Sequence, residues 1–153
     1  MCAFLDSLDY ARDALSLSRA RTVLVGAVDA LSLPLFLGFY KLDLLSRMTL
    51  GEGAVVVIIE ELQSALDRGG RVYAEILGIG SCFEPGRFYK YQRSGKGMVR
   101  AIVLALKDEG LNPKEIDGIF TNANGTKDAD ETEAKAILEV FGREKKDIPT
   151  TTS

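Results

Sequence analysis

The chain has 153 residues, a formal net charge of −3, and hydrophobic and charged shares of 46% and 27%, which are ordinary values for a globular protein. Both charge signs are mixed without a long run of Lys and Arg, which argues against a nucleic-acid surface, and no apolar run is long enough to span a membrane. The chain contains no histidine, the commonest acid/base group and metal ligand, and its two cysteines, Cys2 and Cys82, are too far apart in the chain to suggest a disulfide framework.

The first half of the chain alternates between helical and strand-like patterns. Apolar residues recur at helical spacing over residues 3–17, which predicts an amphipathic helix with one face on a sheet. The run TVLVGAV at 22–28 predicts a buried strand, and Pro34 suits the first turn of the next helix. The unbroken apolar run at 54–59 predicts a strand that is covered on both faces.

The segment after that strand contains a Gly-Gly pair and an irregular loop. Gly69-Gly70 predicts a left-handed helix end, and residues 72–80 predict another strand. In the following segment, SCFEPGRFYKYQRS, the basic residues Arg87, Lys90 and Arg93 interleave with aromatic residues. Such a cluster can bind phosphate or nucleic acid, but a surface loop that covers a core edge is the more ordinary interpretation.

The last third of the chain predicts two helices, a single turn and two strands. One helix begins near Gly97 and ends before Gly110, and the other opens on a capping box of Asp130 and Glu133 and stops at Gly142. The expected apolar stripe of the second helix is Ala134, Ile137, Leu138 and Phe141. The turn and the two strands are predicted at 112–113, 116–121 and 148–153. This alternation indicates a mainly parallel sheet with helices on its faces.

Motifs for metals and cofactors are missing from the sequence. There is no CxxC pair, EF-hand pattern, Walker loop or GxGxxG motif, so neither a metal site nor a cofactor is predicted. No signal peptide is recognised before the first helical pattern. We therefore expect a chain in the reducing cytoplasm, without a membrane or nucleic-acid partner.

Four blocks of the sequence carry a resemblance to a known family. They are LDYARDAL to VLVGAVDALS, GEGAVVVIIEELQSALDRGGRVYAEILGIG, GKGMVRAIVLALKDEGLNPKEIDGIFTNANGT, and DADETEAKAILEVFG followed by IPTTTS. In residue identity and in order along the chain, they closely resemble the β-ketoacyl-ACP synthases, condensing enzymes of the thiolase fold. The resemblance extends over nearly the whole chain and implies a thiolase-like α/β fold of helices packed on mainly parallel sheets.

The resemblance also implies that the fold is incomplete. Complete family members consist of two similar α/β halves, and this chain resembles the middle portion of such a two-half fold. Residues 1–70 resemble the later part of the N-terminal half, and residues 71–153 the opening part of the C-terminal half. Missing strands would leave sheet edges and helix faces uncovered, which predicts poor stability or self-association of the chain alone.

The family chemistry begins at a cysteine. In that family a cysteine at a helix N-terminus takes an acyl chain from acyl carrier protein as a thioester, because the helix dipole favours the thiolate. Two histidines then help a malonyl thioester to lose carbon dioxide and stabilise the enolate that attacks the acyl-enzyme. Cys2 lies close to the nucleophile position, although counting back from Gly26 leads one residue earlier, to Met1. Cys2 is either the nucleophile or a buried or frayed neighbour of it.

The first family histidine is replaced here by an amide. The family usually has a histidine before Gly-Thr, and this chain has Asn124 before Gly125-Thr126. An amide can donate a hydrogen bond to a carbonyl or enolate, but it cannot exchange a proton near neutral pH. The second family histidine belongs to a Lys-containing motif that is expected just beyond Ser153.

Three other positions compare with the family. Glu133 matches a family glutamate, but a capping box with Asp130 is a sufficient structural role for it. Glu52 also matches, and we expect it to fix its turn through backbone hydrogen bonds. Before Gly51 the family usually has a longer connection than residues 46–50 provide, which would alter the pocket entrance or the support of nearby loops.

Three interpretations of function are open at this point. The first is a partial β-ketoacyl-ACP synthase, an acyltransferase of fatty acid or polyketide synthesis that is inactive as it stands. Its partners would be acyl carrier protein and a second ketosynthase subunit, in a homodimer or a heterodimer. The second is a non-catalytic partner like the chain-length factors, which Asn124 favours. The third is a small α/β binding domain that uses the basic and aromatic loop at 87–93.

Overall fold

The structure is a computed structural model that describes residues 3–45, 49–83, 94–123, 125–142 and 149–152. The expected site residues Cys2 and Asn124 lie outside these ranges, as does the basic and aromatic loop at 87–93. The helices are α1 (Ala3–Ser16), α2 (Leu33–Lys41), α3 (Leu62–Asp67), α4 (Lys96–Asp108) and α5 (Lys127–Phe141), with a 3-10 turn at Pro113–Glu115. The strands are β1 (Thr22–Asp29), β2 (Gly53–Glu60), β3 (Ile119–Thr121) and β4 (Thr150–Thr152).

Contacts divide the chain into two compact units. Unit 1 consists of Met1–Phe36 and Leu50–Leu77, and unit 2 consists of Leu37–Thr49 and Gly78–Ser153. This division by contacts does not test whether residues 1–70 and 71–153 correspond to the two halves of the family fold, and that correspondence stays a prediction.

Unit 1 is built on an antiparallel pair of strands. β1 and β2 pair over their whole length, from Thr22 opposite Glu60 to Asp29 opposite Gly53. Because Asp29 lies opposite Gly53, the connection 30–52 leaves and re-enters the sheet at the same end, so the two strands run in opposite directions. The expected parallel arrangement is found in unit 2, where β3 and β4 pair in parallel.

Helix α1 packs on one face of this sheet, as the helical spacing predicted. Ala11 and Leu15 on the helix are 0% and 6% exposed, and Val25 on β1 is 3% exposed. The charged residues Asp6 and Asp13 fall outside the buried stripe, so α1 is amphipathic with its polar side away from the sheet.

The opposite face of the β1–β2 sheet is open. Because side chains alternate along a strand, Leu24, Val28, Val56 and Ile58 share this face, which we call the outer sheet face. Their exposed fractions are 69%, 78%, 67% and 62%. The prediction of a strand covered on both faces is therefore wrong for the described chain, since α1 covers only one face. The expectation that an incomplete fold leaves apolar faces uncovered is confirmed here.

The two glycines after α3 end that helix as predicted. Gly69 has a φ of +69°, and its N–H donates to Leu66 O at 3.0 Å while the N–H of Gly70 donates to Ala65 O at 2.8 Å. Only a residue without a Cβ adopts this left-handed conformation at little cost. Arg68, next to them, forms an ion pair with Glu60 at the end of β2, and the hydrogen bond from this guanidinium lowers the pKa of the Glu60 carboxyl.

Residues 71–80 do not form the predicted strand. They have no strand assignment, since they form no ladder with any other described part of the chain. At 78–80 the backbone packs instead against α4. The N–H of Ile79 donates to Asp108 Oδ2 at 3.2 Å. A Cβ added at Gly78 would lie 2.3 Å from Ala105 O, and one added at Gly80 would lie 2.0 Å from Ala101 O. The two glycines permit this close backbone approach.

In unit 2, α4 and α5 pack against each other at their small residues. Gly95, with a φ of +64°, precedes α4, and a Cβ there would lie 3.1 Å from Thr132 O on α5. Thr132 and Ala136 are 0% and 1% exposed. The predicted stripe of α5 is wrong, because the helix buries Ala129, Thr132 and Ala136, and Leu138 of the predicted stripe is 51% exposed. Small residues are buried because they allow the helix backbones to approach closely.

The ends of the elements in unit 2 largely follow the sequence signals. Gly110, with a φ of +69°, ends α4, and Gly142, with a φ of +79°, follows α5. The turn at Pro113–Glu115 has a capping box, in which Asn112 Oδ1 accepts the N–H of Lys114 and Glu115 Oε2 accepts the N–H of Asn112. β3 begins at Ile119 rather than at 116, and β4 confirms the predicted final strand.

Candidate functional site

The candidate site lies where β3 ends and the chain turns into α5. Thr121, the last residue of β3, is 8% exposed. Residues 122–126 connect it to α5, and residue 124 of this connection is outside the described residues. We call this connection the 122–126 loop. It carries the position at which the family resemblance expects a histidine.

The carboxylate of Glu133 holds the beginning of this loop. The N–H of Asn122 donates to Glu133 Oε1 at 2.9 Å, and the N–H of Ala123 donates to Glu133 Oε2 at 3.0 Å. Both carboxylate oxygens are thus engaged by consecutive backbone amides. Hydrogen bonds to an ionised acceptor are stronger than bonds between neutral groups.

The predicted capping box of Asp130 and Glu133 is wrong. α5 begins at Lys127 with Thr126 in the N-cap position, and the N–H of Asp130 donates to Thr126 O at 2.9 Å inside the first turn. A capping box needs its glutamate in the first turn, and Glu133 lies one turn further along the helix. Its side chain therefore reaches the preceding loop instead of the helix N-terminus.

The loop backbone adopts conformations that need outside support. Ala123 has a φ of +30° and Gly125 a φ of +83°. A positive φ is easy for glycine, but it costs an alanine on the order of 1–3 kcal/mol. The two hydrogen bonds from adjacent amides to Glu133 contribute roughly 1.5–3 kcal/mol each, which is enough to offset this strain.

An open groove of about 330 Å³ lies beside the loop. It is lined by Thr121, Ala123, Asp130, Glu133, Ala134, Ile137 and Leu138. The helical residues of the groove include three of the four apolar residues that the sequence assigned to the core. Within the described part of the chain, the buried Oδ1 of Asp130 has no hydrogen-bond partner, so this oxygen can accept a hydrogen bond from a group that enters the groove.

The remaining expected site residues are placed as follows. Cys2 and Asn124 lie outside the described residues, so their roles stay predictions. Glu52 accepts the N–H of Leu31 at 3.2 Å through Oε2, so this backbone hydrogen bond goes to the segment after β1, and a bond within its own turn stays a prediction. The thiol of Cys82 is half-buried and lies 3.6 Å from the carbonyl oxygen of Phe83.

Sequence reasoning missed the contact between Glu133 and the loop. The signal was present, since Glu133 was matched to a glutamate of the family, but the local capping pattern gave it a sufficient role. Among the described residues, no group of three or more His, Cys, Asp or Glu side chains is arranged to hold a metal ion. No described helix has both the length and the apolar character to cross a membrane.

Comparison with protein families matches residues 73–153 to the model described as "Beta-ketoacyl synthase, C-terminal domain". Among curated proteins, the chain is 38% identical over 93 residues to 3-oxoacyl-[acyl-carrier-protein] synthase 2 of Synechocystis sp., which covers 61% of this chain and 22% of that protein. It is also 38% identical over 92 residues to the mitochondrial 3-oxoacyl-[acyl-carrier-protein] synthase of Arabidopsis thaliana, with coverages of 60% and 20%. The aligned part of the chain thus spans about a fifth of the length of these relatives.

Solved structures extend the match over nearly the whole chain. A chain of the AntDE:AntF complex, a type II PKS acyl-carrier protein with its ketosynthase, superposes with a TM-score of 0.89 at 28% identity, over 98% of this chain and 42% of that chain. The ishigamide ketosynthase/chain length factor superposes with a TM-score of 0.79 at 33% identity, over 98% and 39%. These matches confirm the thiolase-like ketosynthase fold and show that the chain covers only part of it.

Proposed function

The chain belongs to the beta-ketoacyl synthase family, and from this premise we propose that it is part of a β-ketoacyl-ACP synthase. The reaction would be the decarboxylative Claisen condensation of acyl and malonyl thioesters in fatty acid or polyketide synthesis. The observation that carries the proposal is the superposition of 98% of the chain on a chain of the AntDE:AntF complex, a ketosynthase with its acyl-carrier protein, with a TM-score of 0.89. Residues 1–70 would belong to the N-terminal half of that fold and residues 71–153 to its C-terminal half.

The chain alone would not complete this reaction. Within residues 1–153 there is no histidine, and Asn124 occupies the family histidine position. Loss of carbon dioxide from a malonyl thioester needs stabilisation of the enolate, and an imidazole can also transfer a proton near pH 7. The amide of Asn124 can only donate a hydrogen bond, so the decarboxylation step lacks its acid/base group.

The proposed chemistry consists of two roles that the family resemblance assigns to Cys2 and Asn124. Cys2 would be the nucleophile that takes an acyl group from acyl carrier protein, with release of the carrier thiol. Asn124 would donate a hydrogen bond to a thioester carbonyl at the family histidine position. Glu133 supports this second role, because its carboxylate binds the two backbone amides immediately before residue 124.

An acylation experiment tests this function. The chain is incubated with acyl-ACP and malonyl-ACP, and the products are followed by mass spectrometry of the intact chain and of its peptides. We expect one acyl group on Cys2, lost in Cys2→Ser and retained in Cys82→Ser, and no β-ketoacyl product. Because the chain has only these two cysteines, the second variant is a matched control. A β-ketoacyl product from the chain alone, or acylation confined to Cys82, would contradict the assignment.

The second candidate function is that of a non-catalytic partner, similar to a chain-length factor. Two observations favour it: Asn124 replaces the family histidine inside the chain, and one structural neighbour is a ketosynthase/chain length factor. Co-expression with a ketosynthase encoded beside this reading frame separates the two candidates. A partner role predicts a 1:1 complex and no acylation of Cys2, whereas a catalytic role predicts acylation.

The partners and the location follow from the same proposal. Acyl carrier protein would deliver the acyl group, as the AntDE:AntF neighbour is a ketosynthase with its acyl-carrier protein. A second ketosynthase subunit would complete a homodimer or heterodimer, and the proposed setting is the cytoplasm. The third interpretation, a binding domain that uses Arg87, Lys90 and Arg93, rests on residues outside the described ranges and stays a prediction.

A further inference from the structure

The outer sheet face of unit 1 has no charged side chain among its central residues. It is built from three cross-strand pairs, which are Leu24 with Ile58, Gly26 with Val56, and Val28 with Ala54. The next pair on this side of the sheet is Thr22 with Glu60, and the carboxylate of Glu60 forms an ion pair with Arg68 of the same chain. Two identical surfaces repel each other wherever like charges meet, so this face can approach a second copy of itself without that cost.

Gly26 leaves a hollow in the middle of the outer sheet face. A Cβ built at Gly26 would lie 3.6 Å from Val55 O and 3.6 Å from Val56 Cγ2, with no other contact within 4 Å among the described residues. The hollow is therefore open on the side away from the sheet. Val56 lies directly opposite Gly26 on the neighbouring strand and is 67% exposed. The face thus carries one hollow and one projecting side chain, separated by one strand spacing of about 4.8 Å.

We propose that the outer sheet face binds a second copy of this chain, with Val56 of each copy seated over Gly26 of the other. A two-fold axis that lies between the two sheets, parallel to the strands, places β1 of one copy over β2 of the other. Residue 26 then faces residue 56 twice, and residue 24 faces residue 58 twice. Aligned sheets that pack face to face are about 10 Å apart, and their side chains interdigitate. The proposal concerns the packing of unit 1 and does not depend on the proposed function.

The shape of the face favours a second copy as the occupant, because the hollow and the projecting side chain occur in equal number. In the symmetric contact each Val56 fills the hollow of the other copy, so neither is left without a partner. The contact also covers Leu24, Val28 and Ile58, which are between 62% and 78% exposed. Contiguous exposed apolar residues of this kind mark surfaces that meet another protein surface.

Filling the hollow is the decisive test. In Gly26→Val, the new Cβ makes only ordinary contacts within its own chain, and a β-branched residue favours the strand, so we expect the fold to be retained. The same side chain occupies the space of Val56 of the second copy, so the dissociation constant of the dimer should rise about tenfold to a hundredfold. A nonspecific apolar patch predicts the opposite sign, since Gly26→Val adds apolar surface. Sedimentation equilibrium on the full chain gives the dissociation constant, and far-UV circular dichroism checks the fold.

A compensating variant and a matched control accompany this test. Adding Val56→Ala to Gly26→Val makes room for the new side chain, so the dimer should tighten again by about tenfold. Leu24→Thr should weaken the dimer by about tenfold, whereas Leu33→Thr on α2 should leave the dissociation constant within about twofold of the parent value. Leu24 and Leu33 are both 69% exposed, so the control matches the variant in residue type and in exposure.

Isotope-filtered NOEs in a mixture of labelled and unlabelled parent chains report the arrangement directly. We expect intermolecular NOEs between the methyl groups of Val56 and the Hα of Gly26, and between the methyl groups of Leu24 and Ile58. This measurement uses the parent chain, so it decides the question even where a variant fails to fold.

Three results would overturn the proposal. One is a parent chain that stays monomeric into the millimolar range, which would leave the face to the remainder of a ketosynthase fold or to another partner. Another is a Gly26→Val dimer that is as tight as the parent dimer or tighter. The last is a set of intermolecular NOEs that connects other surfaces of the chain. None of these measurements uses acyl transfer, so they stand apart from the outcome at Cys2.

Discussion

The packing of residues 78–80 against α4 gives the sharpest prediction for stability. In Gly80→Ala, the new Cβ would lie 2.0 Å from Ala101 O and 2.5 Å from Ala105 N. Both are backbone atoms of α4, so no side-chain rotation relieves the contact and the segment must move away. The hydrogen bond from Ile79 N–H to the Asp108 carboxylate, at 3.2 Å, would then be lost. Overpacking costs about 1–3 kcal/mol and this hydrogen bond roughly 1.5–3 kcal/mol, so we expect a loss of about 2.5–6 kcal/mol.

Chemical and thermal unfolding followed by far-UV circular dichroism measures this loss, since the chain has no tryptophan. The expected fall in midpoint temperature is on the order of 10 °C. Gly118→Ala is the control, because its nearest atom, Pro149 O, would be 3.8 Å from the new Cβ. If the free energies of unfolding of the two variants agree within ~0.5 kcal/mol, the close packing on α4 is not a determinant of stability and the reasoning fails.

Two more predictions concern the ends and the open face of the β1–β2 sheet. Because the hydrogen bond from Arg68 lowers the pKa of Glu60, this carboxyl contributes stability above its unfolded pKa and loses it as the pH falls through its lower folded pKa. In Glu60→Gln, the free energy of unfolding should therefore depend less on pH below about pH 4.5. An unchanged pH dependence in urea titrations over this range would count against the ion pair. On the outer sheet face, replacing Val56 and Ile58 together by Thr should reduce self-association of the chain, since covering each side chain contributes about 1–2 kcal/mol. Sedimentation velocity over a concentration series measures this self-association. A parent chain that stays monomeric and unfolds cooperatively at a high midpoint temperature would show that the exposed face causes neither association nor poor stability.

Most element boundaries could be predicted because they depend on local chemistry. Gly69 and Gly110 end helices in the left-handed conformation, and Pro34 lies in the first turn of α2, as their residue types require. The failures depend on distant residues. Residues 72–80 have strand-like sequence, but a strand forms only when another strand pairs with it, and sequence does not show which partner is present. Likewise the apolar run of β2 predicted a strand with two covered faces, and among the described residues only α1 covers one of these faces.

The sequence pointed to a candidate loop, and it did not show the contacts of that loop. The resemblance led to Asn124 and to the loop around it, and it also included Glu133 as a matched position. The capping pattern at Asp130 gave a wrong prediction for Glu133. The helix begins at Lys127, three residues before the residue that was expected to cap it. A side chain that reaches back across a loop depends on where the helix begins. The N-cap is Thr126 rather than Asp130, and this shift of four residues moves Glu133 from the first turn of the helix to a turn that faces the loop.

The carboxylate of Glu133 binds the backbone amides of Asn122 and Ala123, which come immediately before position 124. A histidine at position 124 could exchange a proton near neutral pH, and Asn124 cannot do this. Because the amide of Asn124 does not titrate, any carbonyl that it binds would be held equally well across the pH range in which an imidazole changes charge. The two candidate functions therefore differ in a measurable way: binding of an acyl thioester to a partner-type site should show no pH dependence near neutrality, whereas acyl transfer to Cys2 should increase as the thiol ionises.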